Sequence, residues 1–90
     1  MEFVLYNMED CPFCKHFRRI FRNTVPGGKE VVLDGHTDPL WIEHRIDYVP
    51  TVIAYEDGVE VDRIGSVKLV GIRYDRWVEW LGKYLGTKNW

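Results

Sequence analysis

Apolar and polar positions divide the chain into short blocks of two different periods. Phe3-Val4-Leu5-Tyr6 is a compact apolar run ended by Asn7, and it predicts a buried strand over residues 2–7. Met8-Glu9-Asp10 is a connecting loop. From Pro12 the period lengthens. Phe13, Phe17, Ile20 and Phe21 recur at helical spacing and predict a helix from about Pro12 to Arg22. Pro12 suits its first turn, where a missing N–H leaves no bond unmade. Lys15, Arg18, Arg19 and Arg22 take the other face, read as a solvated face that complements the negative end of the helix dipole. Pro26-Gly27-Gly28 breaks the chain, and Glu30-Val31-Val32-Leu33 predicts a second short strand. After a turn at Asp34-Gly35-His36-Thr37, Asp38 is placed to cap a second helix. Pro39 takes its first position, Leu40, Trp41 and Ile42 follow, and it ends near Arg45.

Thr51 to Glu56 is apolar on both faces, as in a central strand covered on both sides. Asp57-Gly58 is a hairpin turn. Val59 to Ile64 returns antiparallel, with Glu60, Asp62 and Arg63 suited to a sheet edge that must not pair further. Gly65-Ser66 breaks this strand, and residues 66–72 have no clear period. Tyr74, Trp77, Val78, Leu81 and Leu85 form the stripe of a last helix over about 73–85, ended by Gly86, with a frayed tail at 87–90. The order is β-α-β-α-β-β-α. Its first half fits a right-handed parallel strand–helix–strand unit, and its second half is a hairpin. The expected class is α/β, a four-stranded mixed sheet with helices on both faces, in a single domain over 1–90.

Composition narrows the function. With 46% hydrophobic and 29% charged residues, the chain has enough apolar surface to fold. A net charge of -2 argues against nucleic-acid binding. No apolar run approaches the ~20 residues of a membrane span. No signal-peptide pattern leads the chain, so the cytoplasm is the expected compartment, and the protein is expected to act as a monomer. In that reducing setting two cysteines are read as catalytic or metal-binding rather than as a structural staple. Trp41, Trp77, Trp80 and Trp90 are read mainly as core.

Those two cysteines are Cys11-Pro12-Phe13-Cys14, between the first strand and the first helix. Disulfide exchange needs a thiolate attacker and a second thiol within reach. Cys11 stands where free N–H groups and the positive dipole end stabilise an anion. Cys14 returns to the same side of the helix and leans toward Phe17 and Phe21. Cys11 is therefore assigned as nucleophile and Cys14 as the more buried resolving thiol. Pro12 fixes the backbone between them. Phe13 sits in a turn facing solvent and is expected to touch substrate, with packing against the second helix as the alternative. Glu9 and Asp10 oppose thiolate formation at Cys11, and Lys15 and His16 offset them.

Cys11-Pro12-Phe13-Cys14 after an N-terminal strand resembles the active site of glutaredoxins. Tyr48-Val49-Pro50-Thr51, leading into an apolar strand and the Asp57-Gly58 hairpin, resembles the cis-proline segment of the thioredoxin superfamily. Val59 to Gly65 looks more like thioredoxin. The resemblance covers residues 2–66 and implies the thioredoxin fold and thiol–disulfide oxidoreductase activity on protein disulfides. It implies a redox-active Cys11–Cys14 disulfide and no bound cofactor. It further implies a cis Val49–Pro50 bond beside the cysteines, so Pro12, Phe13, Val49 and Pro50 form the expected substrate-contact set. Val49 would offer its backbone to a substrate strand. The chain departs from both relatives. Asp10 stands where thioredoxins carry Trp, and Leu5 aligns with their buried Asp. Gly65-Ser66-Val67-Lys68 lacks the Gly-Gly and Asp with which glutaredoxins hold glutathione. A reductase or glutathione is the expected electron donor. Glu9 and Asp10 repel the carboxylates of glutathione, which favours a general dithiol reductant.

Two other readings stay open on the residues. Cys11, Cys14 and His16 offer three ligands for zinc or for an iron–sulfur cluster shared between chains, without a second pair to close a structural zinc site. A non-catalytic redox switch would use the same two thiols.

Overall fold

The computed structural model describes residues 1–85. The helix end expected at Gly86, the tail at 87–90 and the core role of Trp90 lie outside the described residues. The elements are β1 (Glu2–Asn7), α1 (Pro12–Thr24), β2 (Lys29–Val32), α2 (Leu40–Glu43), β3 (Thr51–Glu56), β4 (Val59–Gly65) and α3 (Tyr74–Leu85). The sheet runs β2-β1-β3-β4. β1 pairs parallel with β2 and antiparallel with β3, and β3 pairs antiparallel with β4. The mixed four-stranded sheet, the three helices and the edge position of β4 are as the pattern predicts.

The period of two along β1 and β3 builds two cores. Phe3, Leu5, Val52 and Ala54 point to one face, where Phe17 and Phe21 of α1 and Trp77, Trp80 and Leu81 of α3 cover them. Val4, Tyr6 and Ile53 point to the other, with Leu33, Ile46, Leu40 and Trp41. Cross-strand partners such as Phe3 with Ala54 and Leu5 with Val52 stay on one face because the register holds. β1 is therefore sandwiched, and its C-terminal end delivers the chain directly to Cys11.

Three expectations change. α1 continues past Arg22 to Thr24, because Thr24 Oγ1 donates to Ile20 O at 2.7 Å and accepts the Trp77 indole N–H at 3.0 Å. Pro26 then stops it. Gly28 lies under this end, and a Cβ there would sit 2.6 Å from the Phe21 ring. β2 starts one residue early, at Lys29. α2 is a single turn that stops before Arg45. Arg45 adopts φ 53°, and Ile46 N–H turns back to Trp41 O at 2.8 Å. Pro39 is the N-cap of α2 rather than its first residue, and Asp38 just before it accepts Leu40 N–H at 3.0 Å on one carboxylate oxygen and Asp34 N–H at 2.8 Å on the other.

Residues 66–72 form a tight turn closed by a Val67–Gly71 bridge, with Leu69 and Gly71 at φ 65° and 78°. Left-handed residues at such spacing explain why no period showed. α3 is latched to the edge strand at Asp62, which accepts hydrogen bonds from Lys83 Nζ at 2.9 Å and from the Tyr84 hydroxyl. Burial alone would raise the Asp62 carboxyl. These bonds outweigh it and hold it down at about 2. None of the described helices is long and apolar enough to cross a membrane.

Candidate active site

The first turn of α1 positions both sulfurs. Cys11 is the N-cap, with extended backbone at φ -99° and ψ 116°, so its side chain folds back over the helix start. Its Sγ accepts the Cys14 N–H at 3.2 Å, and its carbonyl accepts the Lys15 N–H at 3.0 Å. Sulfur thus takes the place an oxygen usually holds at a cap, on the N–H groups that favour negative charge. Pro12 follows in the first turn, exposed. Both cysteines are free thiols, Cys11 partly exposed and Cys14 fully buried.

Burial pushes the Cys14 thiol up to about 12, and its hydrogen bond with Cys11 acts the same way. The backbone of Met8 and the charge of Arg18 pull in the opposite direction without reversing it. At neutral pH Cys14 is a protonated, inaccessible thiol. The pair is asymmetric: one accessible sulfur on a helix N-terminus, one buried sulfur held beneath it.

Arg18 corrects the reading of the basic face of α1. Its guanidinium turns toward the end of β1, donating to Asn7 Oδ1 from Nε at 3.2 Å and from a terminal nitrogen at 2.7 Å, and to Met8 O at 3.3 Å. Asn7 is fully buried, and its Nδ2 donates to Val31 O at 3.1 Å. A buried amide with both ends bonded fixes the guanidinium one helical turn from Cys14. Neither Asn7 nor Arg18 was marked as a site residue by the sequence. The available signal was a basic residue four positions after Cys14, on the same helix face.

The second half of the site comes from the segment before β3. Val49–Pro50 is a cis peptide bond. Thr51 Oγ1 donates to Tyr48 O at 2.6 Å, and Ser66 Oγ donates to Pro50 O, so the segment is tied to β3 and to the turn after β4. The Cys11 thiol donates to Val49 O at 3.8 Å. Pro50 is fully buried, so the part of this segment presented beside Cys11 is Val49. The Val49 N–H has no acceptor among the described residues.

Phe13 is 40% exposed and lies beside Gly71. A Cβ at Gly71 would lie 3.1 Å from the Phe13 Cβ, so the glycine lets the turn after β4 close against the cysteine loop. Of the three ligands considered for a metal, His16 is exposed on α1. Among the described residues no three His, Cys, Asp or Glu side chains converge as a metal-binding group.

No protein-family model and no curated protein matches the sequence. Solved structures do match in three dimensions. Thioredoxin f2 of Chlamydomonas reinhardtii superposes with a TM-score of 0.66 at 15% identity, over 93% of this chain and 78% of that one. Thioredoxin 1 of Thermosipho africanus gives 0.63 at 20% identity over 100% of both chains. Thioredoxin O2 of Arabidopsis thaliana in its oxidized state gives 0.64 at 16%, over 92% and 73%. The architecture is the thioredoxin fold.

Proposed function

We propose that this protein is a dithiol–disulfide oxidoreductase acting on protein disulfides. Cys11 thiolate attacks one sulfur of a substrate disulfide. That S–S bond breaks, a Cys11–substrate disulfide forms, and the first substrate thiolate leaves and takes a proton from water. Cys14 then loses its proton and attacks the Cys11 sulfur. The mixed disulfide breaks, the second substrate thiolate leaves, and the protein carries a Cys11–Cys14 disulfide. Two electrons and two protons pass to the substrate. The observation that carries this reading is the asymmetric pair, with Cys11 on the helix N-terminus beside Val49 and Cys14 buried behind it. The likeness to thioredoxins, at low identity, supports it through the fold.

The remaining site residues take roles within this scheme. The Val49 backbone is an edge on which an extended substrate can pair, and Pro50 holds that edge in place. Pro12 stiffens the loop, and Phe13 offers apolar contact. The compartment that suits the reaction is the reducing cytoplasm. Glu9 and Asp10 disfavour glutathione as donor, which leaves a dithiol reductase to recycle the oxidised form. Thiol counting tests the scheme. Reduced protein mixed with a disulfide-bonded protein releases two substrate thiols for each Cys11–Cys14 disulfide formed. A mixture in which no substrate thiol appears contradicts it.

Arg18 acts on the second step. A cation fixed near Cys14 favours its thiolate, against burial, when the mixed disulfide must be resolved. Removing that charge raises the Cys14 thiol further, so less thiolate is present at any given pH. Arg18→Gln is expected to shift the pH profile of resolution toward higher pH and to slow resolution at neutral pH. Arg18→Lys should restore part of the rate. Stopped-flow measurement of mixed-disulfide decay against pH checks this, and an unshifted profile in Arg18→Gln contradicts it.

A further inference from the structure

We infer that the groove lined by Cys11, Trp41 and Asp47 receives a substrate segment that carries a lysine or arginine close to its disulfide cysteine. The assignment rests on the exchange reaction proposed above and names the substrate it selects. The groove opens beside the Cys11 sulfur, and Trp41, Tyr48, Val49, Asp10 and Asp47 line it. Three separate parts of the chain meet there: the loop before α1, the turn around α2 and the segment before β3. The nucleophile, the Val49 edge and the groove therefore form one continuous surface.

Two features give this surface a chemical preference. The first is a fixed aromatic ring. Trp41 packs against the core formed by Tyr6, Ile46 and Ile53, and its indole N–H donates to Gly35 O at 2.8 Å. His36 stacks with it at 5.9 Å between ring centroids, and both rings line the groove. The second is exposed negative charge in the groove lining. Asp10 and Asp47 are exposed and enter none of the ion pairs among the described residues. Arg45, two residues before Asp47, lines a neighbouring hollow with it rather than the groove, and two other cations are engaged elsewhere. Arg18 is turned to Asn7, and Arg63 is held by Glu60 through two bonds of 2.6 Å. Lys15 and His16 are on α1 and do not line the groove.

A held aromatic face in a groove that two carboxylates also line suits a long cationic side chain. Its apolar stem covers the ring, and its head reaches an acid. An acidic segment meets like charge there. Because the carboxylates are solvent-exposed, the preference acts mainly through encounter and orientation and is weakened by salt.

The test uses two disulfide-bonded peptides, identical except for Lys or Glu two residues from the cysteine, with the intact reduced protein. At about 0.01 M salt the Lys peptide is expected to be reduced about tenfold faster than the Glu peptide, and the ratio should fall toward one at about 0.5 M. In the double variant Asp10→Asn, Asp47→Asn the low-salt ratio should also fall toward one. Thermal unfolding would show that these exposed replacements leave the fold intact. Equal rates for the two peptides, or a ratio unchanged in the double variant, overturn the assignment and leave the exchange reaction standing. Failure to reduce either peptide overturns both.

Discussion

Cys11→Ser is expected to abolish disulfide reduction, lowering the rate by more than about a thousandfold while leaving the fold intact. The loss is chemical. A serine hydroxyl stays protonated near neutral pH and does not exchange with a disulfide sulfur. The fold survives because Cys11 is the N-cap of α1, accepting the Cys14 N–H. Serine is among the best residues for that position, so stability should change by no more than about 0.5 kcal/mol. Reduction assays read the first effect and thermal unfolding the second. A Cys11→Ser protein that keeps a tenth of the activity would mean that another group attacks the substrate.

Trp77→Ala has the largest expected effect on stability. The Trp77 ring is fully buried between α1 and α3, edge-on to Phe17 at 5.0 Å between centroids and stacked with Trp80 at 5.6 Å. Its indole N–H donates to Thr24 Oγ1 at the end of α1. Truncation removes the ring, opens a cavity and leaves α1 loosely held over the sheet. The expected cost is about 3–5 kcal/mol. A domain of this size is stable by only about 5–15 kcal/mol. The midpoint of thermal unfolding should therefore fall by roughly 15–30 °C. A fall under about 5 °C would show that α1 and α3 are held together by other contacts.

The fold was legible because its strongest signals are local. Phe3 and Leu5 alternate with Val4 and Tyr6, Pro12 sits in the first turn of α1, and Asp57-Gly58 turns the hairpin. Each states its geometry within a few residues. The sequence pattern overextends α2 because nothing in the residue type marks Arg45 as left-handed, and the return of Ile46 to Trp41 accompanies that turn. The cysteine pair was legible for the same local reason, since cap and helix lie within the motif.

What the sequence did not mark depends on contacts across the chain. Asn7 reads as the end of a strand, yet its side chain is buried and bonded to both Arg18 and Val31. Arg18 reads as one of several surface cations, yet the end of β1 captures it. Asp47 and Trp41 carry no motif at all. They join Cys11 only because the sheet brings the loop after β1 next to the segment before β3.

The central claim is that Cys11 attacks and Cys14 resolves. Peptide mapping by mass spectrometry, after reduced Cys14→Ser protein is mixed with a disulfide-bonded peptide, tests it most directly. The account predicts a stable mixed disulfide on Cys11 that accumulates because no buried thiol remains to release it. No adduct on Cys11, or an adduct on Cys14 in the Cys11→Ser protein, would contradict it.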